Sequence, residues 1–205
     1  PMHSLPFRFL LVPALAGLLV PATPAQTLAR DLTPPAGSPA NGSPTAITPF
    51  LTGAVFSALD EFGREPWLTD GTTNGTRRLF DCDPGSASSD PSDFTVVGSR
   101  LYFVARRQGF GRELWTSDGT ASGTRMVVDL RAELDTNASI GSVVAFGSRV
   151  YFVATTSAHG AEVFTSDGTA AGTFVLRDVV PGASSSSPSD LVVWNGRLWF
   201  VAASS

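Results

Sequence analysis

One phrase is written three times in this chain: "EPWLTDGT" at 65–72, "ELWTSDGT" at 113–120 and "EVFTSDGT" at 162–169. Its Asp-Gly-Thr triplets begin at Asp70, Asp118 and Asp167, which are 48 and 49 residues apart. A second phrase keeps the same interval: "VFSA" (55–58), "YFVA" (102–105), "YFVA" (151–154) and "WFVA" (199–202). A third does so too: "ARDL" (29–32), "LFDC" (79–82), "VVDL" (127–130) and "LRDV" (176–179). A catalytic site is normally written once. Phrases that recur at one period mark a structural unit that is copied and stacked.

Each period reads as four short strands. In the middle copy they are "DFTVVG" (93–98), "RLYFVARR" (100–107), "RELWTS" (112–117) and "TRMVVDL" (124–130). All are rich in β-branched and aromatic residues and are bounded by Gly, Asp or Ser. Gly98-Ser99 suits a tight hairpin, and the link 118–123 is a longer loop. No helical periodicity appears after the first 25 residues. The expected fold is all-β: a β-propeller-like array of four-stranded antiparallel blades, about 48 residues each. Complete units are expected near 45–82, 93–130 and 140–179, with partial units at 27–32 and 190–203. The partial units predict an incomplete propeller, an open arc rather than a ring closed by pairing 27–32 with 190–203.

The first 25 residues are of another kind. Arg8 precedes the apolar run Phe9–Val20, and Thr23 and Ala25 are the small residues before a cleavage point. This is the pattern of a secretory signal peptide, with 26–205 as the repeat domain. The apolar run is twelve residues long and contains Pro13, too short to span a bilayer comfortably, so no membrane span is expected in the mature chain. The protein is then secreted or displayed at the cell surface.

Charge excludes one partner class. The chain has 14 Arg, no Lys and a formal net charge of −4. No basic run exceeds two residues, so nucleic acid is not an expected ligand. Cys82 is the only cysteine, which rules out an intrachain disulfide.

The repeated residues have structural roles in this reading. Trp67, Trp115 and Phe164 fill the space between adjacent blades. Asp70-Gly71, Asp118-Gly119 and Asp167-Gly168 turn the chain, because Asp bonds its own following N–H groups and Gly takes positive φ. Glu65, Glu113 and Glu162 recur two residues before the aromatic and point to a hydrogen bond or ion pair between blades, with Arg a candidate partner. "DCDPGSASSDPSDF" (81–94) is the most acidic stretch, and Asp81, Asp83, Asp90 and Asp93 are the weak candidates for calcium. No other cofactor is expected. His159 sits in a loop position that Phe62 and Phe110 occupy in the other copies, and no Ser-His-Asp set assembles around it.

"GRELWTSDGTASGT" (111–124) and "LRDVVPGASSSSPSDL" (176–191), together with the "YFVA" strand, resemble the ELWxxDGT repeat of secreted bacterial proteins. The resemblance covers nearly all of 29–202, departing at Pro66, Leu68, Val163 and Phe164, and at 129–140, which lacks the Pro-Gly pair. It implies an exported, propeller-like repeat protein and no catalytic residues. The expected function is non-enzymatic binding or scaffolding of an extracellular protein or glycan. Loops 60–64, 107–111 and 156–161 differ most between copies and are the first place to look for specificity. The rivals are a carbohydrate-active enzyme on a propeller scaffold, for which Asp60 and Glu61 are the only acidic pair unique to one copy, and a purely structural array.

Overall fold

The computed structural model describes residues 42–130 and 140–204. The segment 1–25 expected to be a signal peptide and the expected partial unit 27–32 lie outside them, as does the ring-closing pairing that 27–32 would make.

The first copy supplies β1 (Thr45–Phe50), β2 (Gly53–Asp60), β3 (Gly63–Thr69) and β4 (Arg77–Arg78). The second supplies β5 (Ser92–Val97), β6 (Arg100–Arg107), β7 (Gly111–Ser117) and β8 (Arg125–Met126). The third supplies β9 (Ile140–Phe146), β10 (Arg149–Thr156), β11 (Gly160–Ser166) and β12 (Phe174–Arg177). Two more strands follow, β13 (Ser189–Trp194) and β14 (Arg197–Val201). Among the described residues there is no helix. Each copy forms its own antiparallel sheet in sequence order, three of four strands, and β13–β14 make a sheet of two.

The repeat phrases explain the register. In the second sheet Phe103 lies opposite Trp115 and Ala105 opposite Glu113; in the third, Phe152 lies opposite Phe164 and Ala154 opposite Glu162. Side chains along a strand alternate between faces, so "LYFVA" divides into two sets. Leu101, Phe103 and Ala105 join Trp115 in one cluster with Phe50, Val55, Leu68 and Leu79 of the first copy. Tyr102, Val104 and Leu114 join the other, with Val143, Val150, Phe152 and Phe164 of the third. The second sheet is apolar on both faces because a neighbour covers each one. Trp115 and Phe164 do fill the space between successive sheets; Trp67 packs with Phe56 and Ala58.

The first strands meet one another along the array, β1 against β5, β5 against β9 and β9 against β13. The Thr95 hydroxyl donates to the Val143 carbonyl across one of these contacts at 3.0 Å. Each first strand carries a bulge in its pairing with the second. Beside each bulge one non-glycine residue takes positive φ: Ala46 (55°), Asp93 (55°), Ser142 (56°) and Asp190 (55°). Such a bend sharpens the twist of the strand where it meets its neighbours.

The fourth strands are shorter than the sequence suggests. "TRMVVDL" pairs as a strand only over Arg125–Met126. Val127 still donates to the Leu114 carbonyl at 2.8 Å, as Leu79 does to Pro66. Beyond that the chain leaves the ladder and its N–H groups turn to a carboxylate.

Candidate functional site

That carboxylate is the repeated glutamate. Glu65 is fully buried. Its Oε2 accepts the Cys82 N–H at 2.9 Å and the Ser89 hydroxyl at 2.7 Å, and its Oε1 accepts the Ser89 N–H at 3.0 Å. Glu162, also buried, accepts the Val180 N–H at 3.3 Å, the Ser186 N–H at 3.1 Å and the Ser186 hydroxyl at 2.6 Å. Glu113 accepts the Leu130 N–H at 3.3 Å. The partners of Glu65 and Glu162 are backbone amides and a serine of the connection to the next sheet, not the arginine considered from the sequence. A carboxylate suits this task because it accepts several donors at once, and the departing chain has donors that no strand can meet. Burial pushes the Glu65 carboxyl up to about 7 from an ordinary 4.5, against the pull of its three hydrogen bonds. The buried thiol of Cys82 is pushed up as well, by burial first and by Glu65 second.

The Asp-Gly-Thr loops sit at the opposite end of the sheets and form one network three times. Asp118 Oδ1 accepts the Thr120 N–H at 2.9 Å and the Thr120 hydroxyl at 2.7 Å. The Thr120 hydroxyl oxygen accepts the Gly123 N–H at 2.9 Å, and the Thr124 hydroxyl donates to the Thr120 carbonyl at 2.7 Å. Asp70 and Asp167 repeat these bonds with Thr72 and Thr169. The threonine bonds hold all three aspartates below the usual carboxylate range. Gly75, Gly123 and Gly172 are required by space, since a Cβ at any of them would strike the aspartate carboxyl. Gly71, Gly119 and Gly168 have φ of 89°, 93° and 88°, the left-handed turn expected of them.

These loops also join the sheets. The Arg77 guanidinium donates to the Gly119 carbonyl at 2.9 Å, and Arg125 to that of Gly168 at 3.2 Å. The sequence reading missed this latch, although an arginine follows Gly-Thr in the first two copies. It also missed Ser89 and Ser186, which stand 24 residues after Glu65 and Glu162.

The three variable loops lie with the connections, at the end away from Asp-Gly-Thr. Gly63 and Gly160 run so close to the carbonyls of Ala87 and Ser184 that a Cβ would collide. Equivalent positions there carry different chemistry. Phe62 lies under the Arg78 guanidinium, 4.0 Å from ring centroid to Cζ, and Arg78 also meets Asp60 at 3.4 Å. Phe110 lies 5.5 Å from Arg107, and the neighbouring Gln108 N–H donates to Asp83 Oδ1 at 2.8 Å. His159 Nδ1 lies 3.0 Å from Asp178 Oδ2, and that contact holds the Asp178 carboxyl low. His159 is half-exposed and packs edge-on against Phe164, so it is partly packed, as a loop residue in its place should be.

The acidic stretch is not gathered into one site. Asp83 is buried and serves Gln108, Asp93 Oδ2 accepts the Ser92 hydroxyl at 2.6 Å, and Asp90 is exposed. Among the described residues no group of three or more His, Cys, Asp or Glu is placed to hold a metal ion. Asp60, one of the acidic pair considered for a glycosidase, accepts the Phe62 N–H at 2.8 Å and caps its own turn. No protein-family model matches the chain, and no curated protein matches it.

Proposed function

We propose that this chain is an exported, non-enzymatic β-propeller repeat module that binds or scaffolds at the cell surface or outside the cell. The observation that carries this reading is the division of labour between the repeated carboxylates and the hairpin tips. The repeated carboxylates are occupied in holding the repeat together: Glu65 and Glu162 bind the connections, and Asp70, Asp118 and Asp167 shape the loops. At the hairpin tips beside the glutamate-held connections, the residue type changes among copies, as Phe62, Phe110 and His159, each with its own charged neighbour. Constant scaffold and variable loops are the arrangement of a recognition surface. The contacts of β1, β5, β9 and β13 in succession support the radial stacking of blades about an axis.

The purified chain, applied to a glycan array and to a panel of extracellular proteins, tests the reading. A ligand is expected whose binding is lost when 107–111 is replaced by the sequence of 60–63, which keeps a glycine at the start of β7, with the melting temperature unchanged. Binding that survives replacement of all three loops overturns the assignment of the surface. Release of sugar products that disappears in Asp60→Asn or Glu61→Gln overturns the non-enzymatic reading.

A further inference from the structure

The first and second sheets leave a cleft between them at the Asp-Gly-Thr end. It measures about 230 Å³, with Phe50, Leu51 and Leu68 on its apolar side and Asp70 and Gly75 on its polar side. The other two copies explain why it exists. Arg100 and Arg149 open β6 and β10, whereas Gly53 opens β2. Arg100 donates to the Thr116 hydroxyl oxygen at 3.5 Å, and Arg149 to that of Thr165 at 3.2 Å. Arg149 also donates to the Gly172 carbonyl and meets Asp167 Oδ2 at 3.7 Å. In the first copy the arginine and the threonine are both replaced, by Gly53 and Leu68. The rest of the polar set is kept, because Asp70 and Gly75 hold the places of Asp167 and Gly172.

The facing loop shows the same difference. A Cβ on Gly168 would strike Tyr102 and come within 3.4 Å of the Arg100 stem, so these two fill the space between the second and third sheets. Their counterparts in the first sheet are Val55 and Gly53, and Gly119 is met instead by Leu51 and Phe50. Position 53 has no room for a side chain of its own, since a Cβ there would strike the Thr69 carbonyl. Thr72 holds the Asp70 carboxyl low, as Thr120 and Thr169 hold their aspartates, so all three are charged at neutral pH. Arg100 adds its charge to this effect at Asp118, and Arg149 does so at Asp167. Among the described residues no cation pairs with Asp70. Arg77 does not bar a second guanidinium from the cleft. Its own is committed to the Gly119 carbonyl, and the space beside Gly168 holds the equivalent Arg125 together with Arg100.

We propose that this cleft binds the arginine side chain of a peptide, placed as Arg100 and Arg149 are placed in their own sheets. The guanidinium pairs with the Asp70 carboxylate and donates to the Gly75 carbonyl, and its methylene stem lies along Leu51 and Leu68. A guanidinium suits acceptors that stand side by side, because it is planar and carries several donors in a fixed fork. Its stem suits apolar walls, as long cationic side chains generally lay their methylenes on such surface. The cleft is at the opposite end of the sheets from the variable loops, so it stands or falls apart from the recognition surface proposed above.

The test titrates the whole chain with N-acetyl-arginine N-methylamide and follows backbone amide shifts by NMR. Saturable shifts are expected at Leu51, Gly75 and Gly119, with none at Gly168, where Arg100 already fills the equivalent space. The citrulline analogue has the same shape without the charge and should bind roughly tenfold more weakly. Asp70→Asn keeps the oxygen that accepts from Thr72 and should weaken binding by a similar factor. Asp118→Asn is the same change where Arg100 is already present, and it should leave binding unchanged. Leu51→Gly supplies the residue that the second and third copies carry at that turn, Gly98 and Gly147, and should also weaken binding by removing the wall for the stem. No shift at any soluble concentration overturns the proposal. So do equal binding of the citrulline compound, shifts spread evenly over the three Asp-Gly-Thr loops, or equal losses in Asp70→Asn and Asp118→Asn.

Discussion

Glu65→Gln tests whether the buried carboxylate is tolerated in spite of its charge or because of it. The carboxyl titrates near 7 in the folded protein and near 4.5 when unfolded. A group whose folded pKa is raised contributes stability that is fully present below the unfolded value and is lost as pH rises through the folded one. At ~1.4 kcal/mol per pKa unit, the wild type should lose about 3 kcal/mol of unfolding free energy from this group between pH 4.5 and 8. Glutamine keeps the shape and cannot ionise. It also turns an amide N–H₂ toward one of the donors that Glu65 now accepts, so it should be the less stable protein in acid. The gap should then close by about 3 kcal/mol as pH rises, because only the wild type acquires a buried charge. Guanidinium titrations of both proteins at pH 5, 6, 7 and 8 measure the difference at each step. A difference that does not change with pH refutes the reasoning. A difference that widens with pH means that the bonds from Cys82 and Ser89 outweigh the burial, and the sign of the argument is reversed.

Three further outcomes follow from the contacts between and within sheets. Asp118→Ala should lower the melting temperature equally with and without calcium, because its bonds to Thr120 are internal to the turn; protection by calcium in the wild type alone would contradict this. Phe103→Ala removes a ring packed between two sheets and should cost ~3–5 kcal/mol in chemical denaturation, measured by circular dichroism. Arg125→Ala should cost ~0.5–1.5 kcal/mol and speed amide exchange at Gly168–Thr173, with little change at Gly119–Thr124, where Arg77 is the donor.

The strands were legible because their residues recur with a chemical reason at each place. Phe103 and Phe152 need aromatic partners across the sheet, and Trp115 and Phe164 stand in register to supply them. Asp118 could be read as a turn residue because its partners lie two residues away. The glutamates could not be read so fully. Their partners lie 17 to 24 residues on, and the donors are backbone amides, which every residue possesses and no sequence pattern advertises. The early end of the fourth strand was hidden for the same reason: "VVDL" has strand composition, but its last N–H, that of Leu130, is claimed by a side chain. The bulges were invisible too. Ala46, Asp93, Ser142 and Asp190 adopt one conformation with three kinds of side chain, so geometry is repeated there and residue type is not.

The two repeated carboxylates divide the problem of stacking sheets in a way their positions explain. A sheet covered on both faces has no apolar surface left with which to hold its own connections, so those connections must be fixed by polar contacts at the ends. At one end the chain leaves a fourth strand and crosses to the next first strand. A crossing exposes several N–H groups in different directions, and a buried glutamate with two free oxygens can collect them, as Glu65 does with Cys82 and Ser89. At the other end the chain only reverses. A short aspartate satisfies that turn locally, leaving the following glycine carbonyl free to receive an arginine from the preceding sheet. Exchanging the two acids would fail at both ends: aspartate is a methylene too short to reach the connection, and a glutamate in the turn would collide with the chain where Gly123 already leaves no room for a Cβ. The variable loops escape both constraints. Their hairpins close within β2–β3, β6–β7 and β10–β11, and their tips at Phe62, Phe110 and His159 can change without disturbing either anchor.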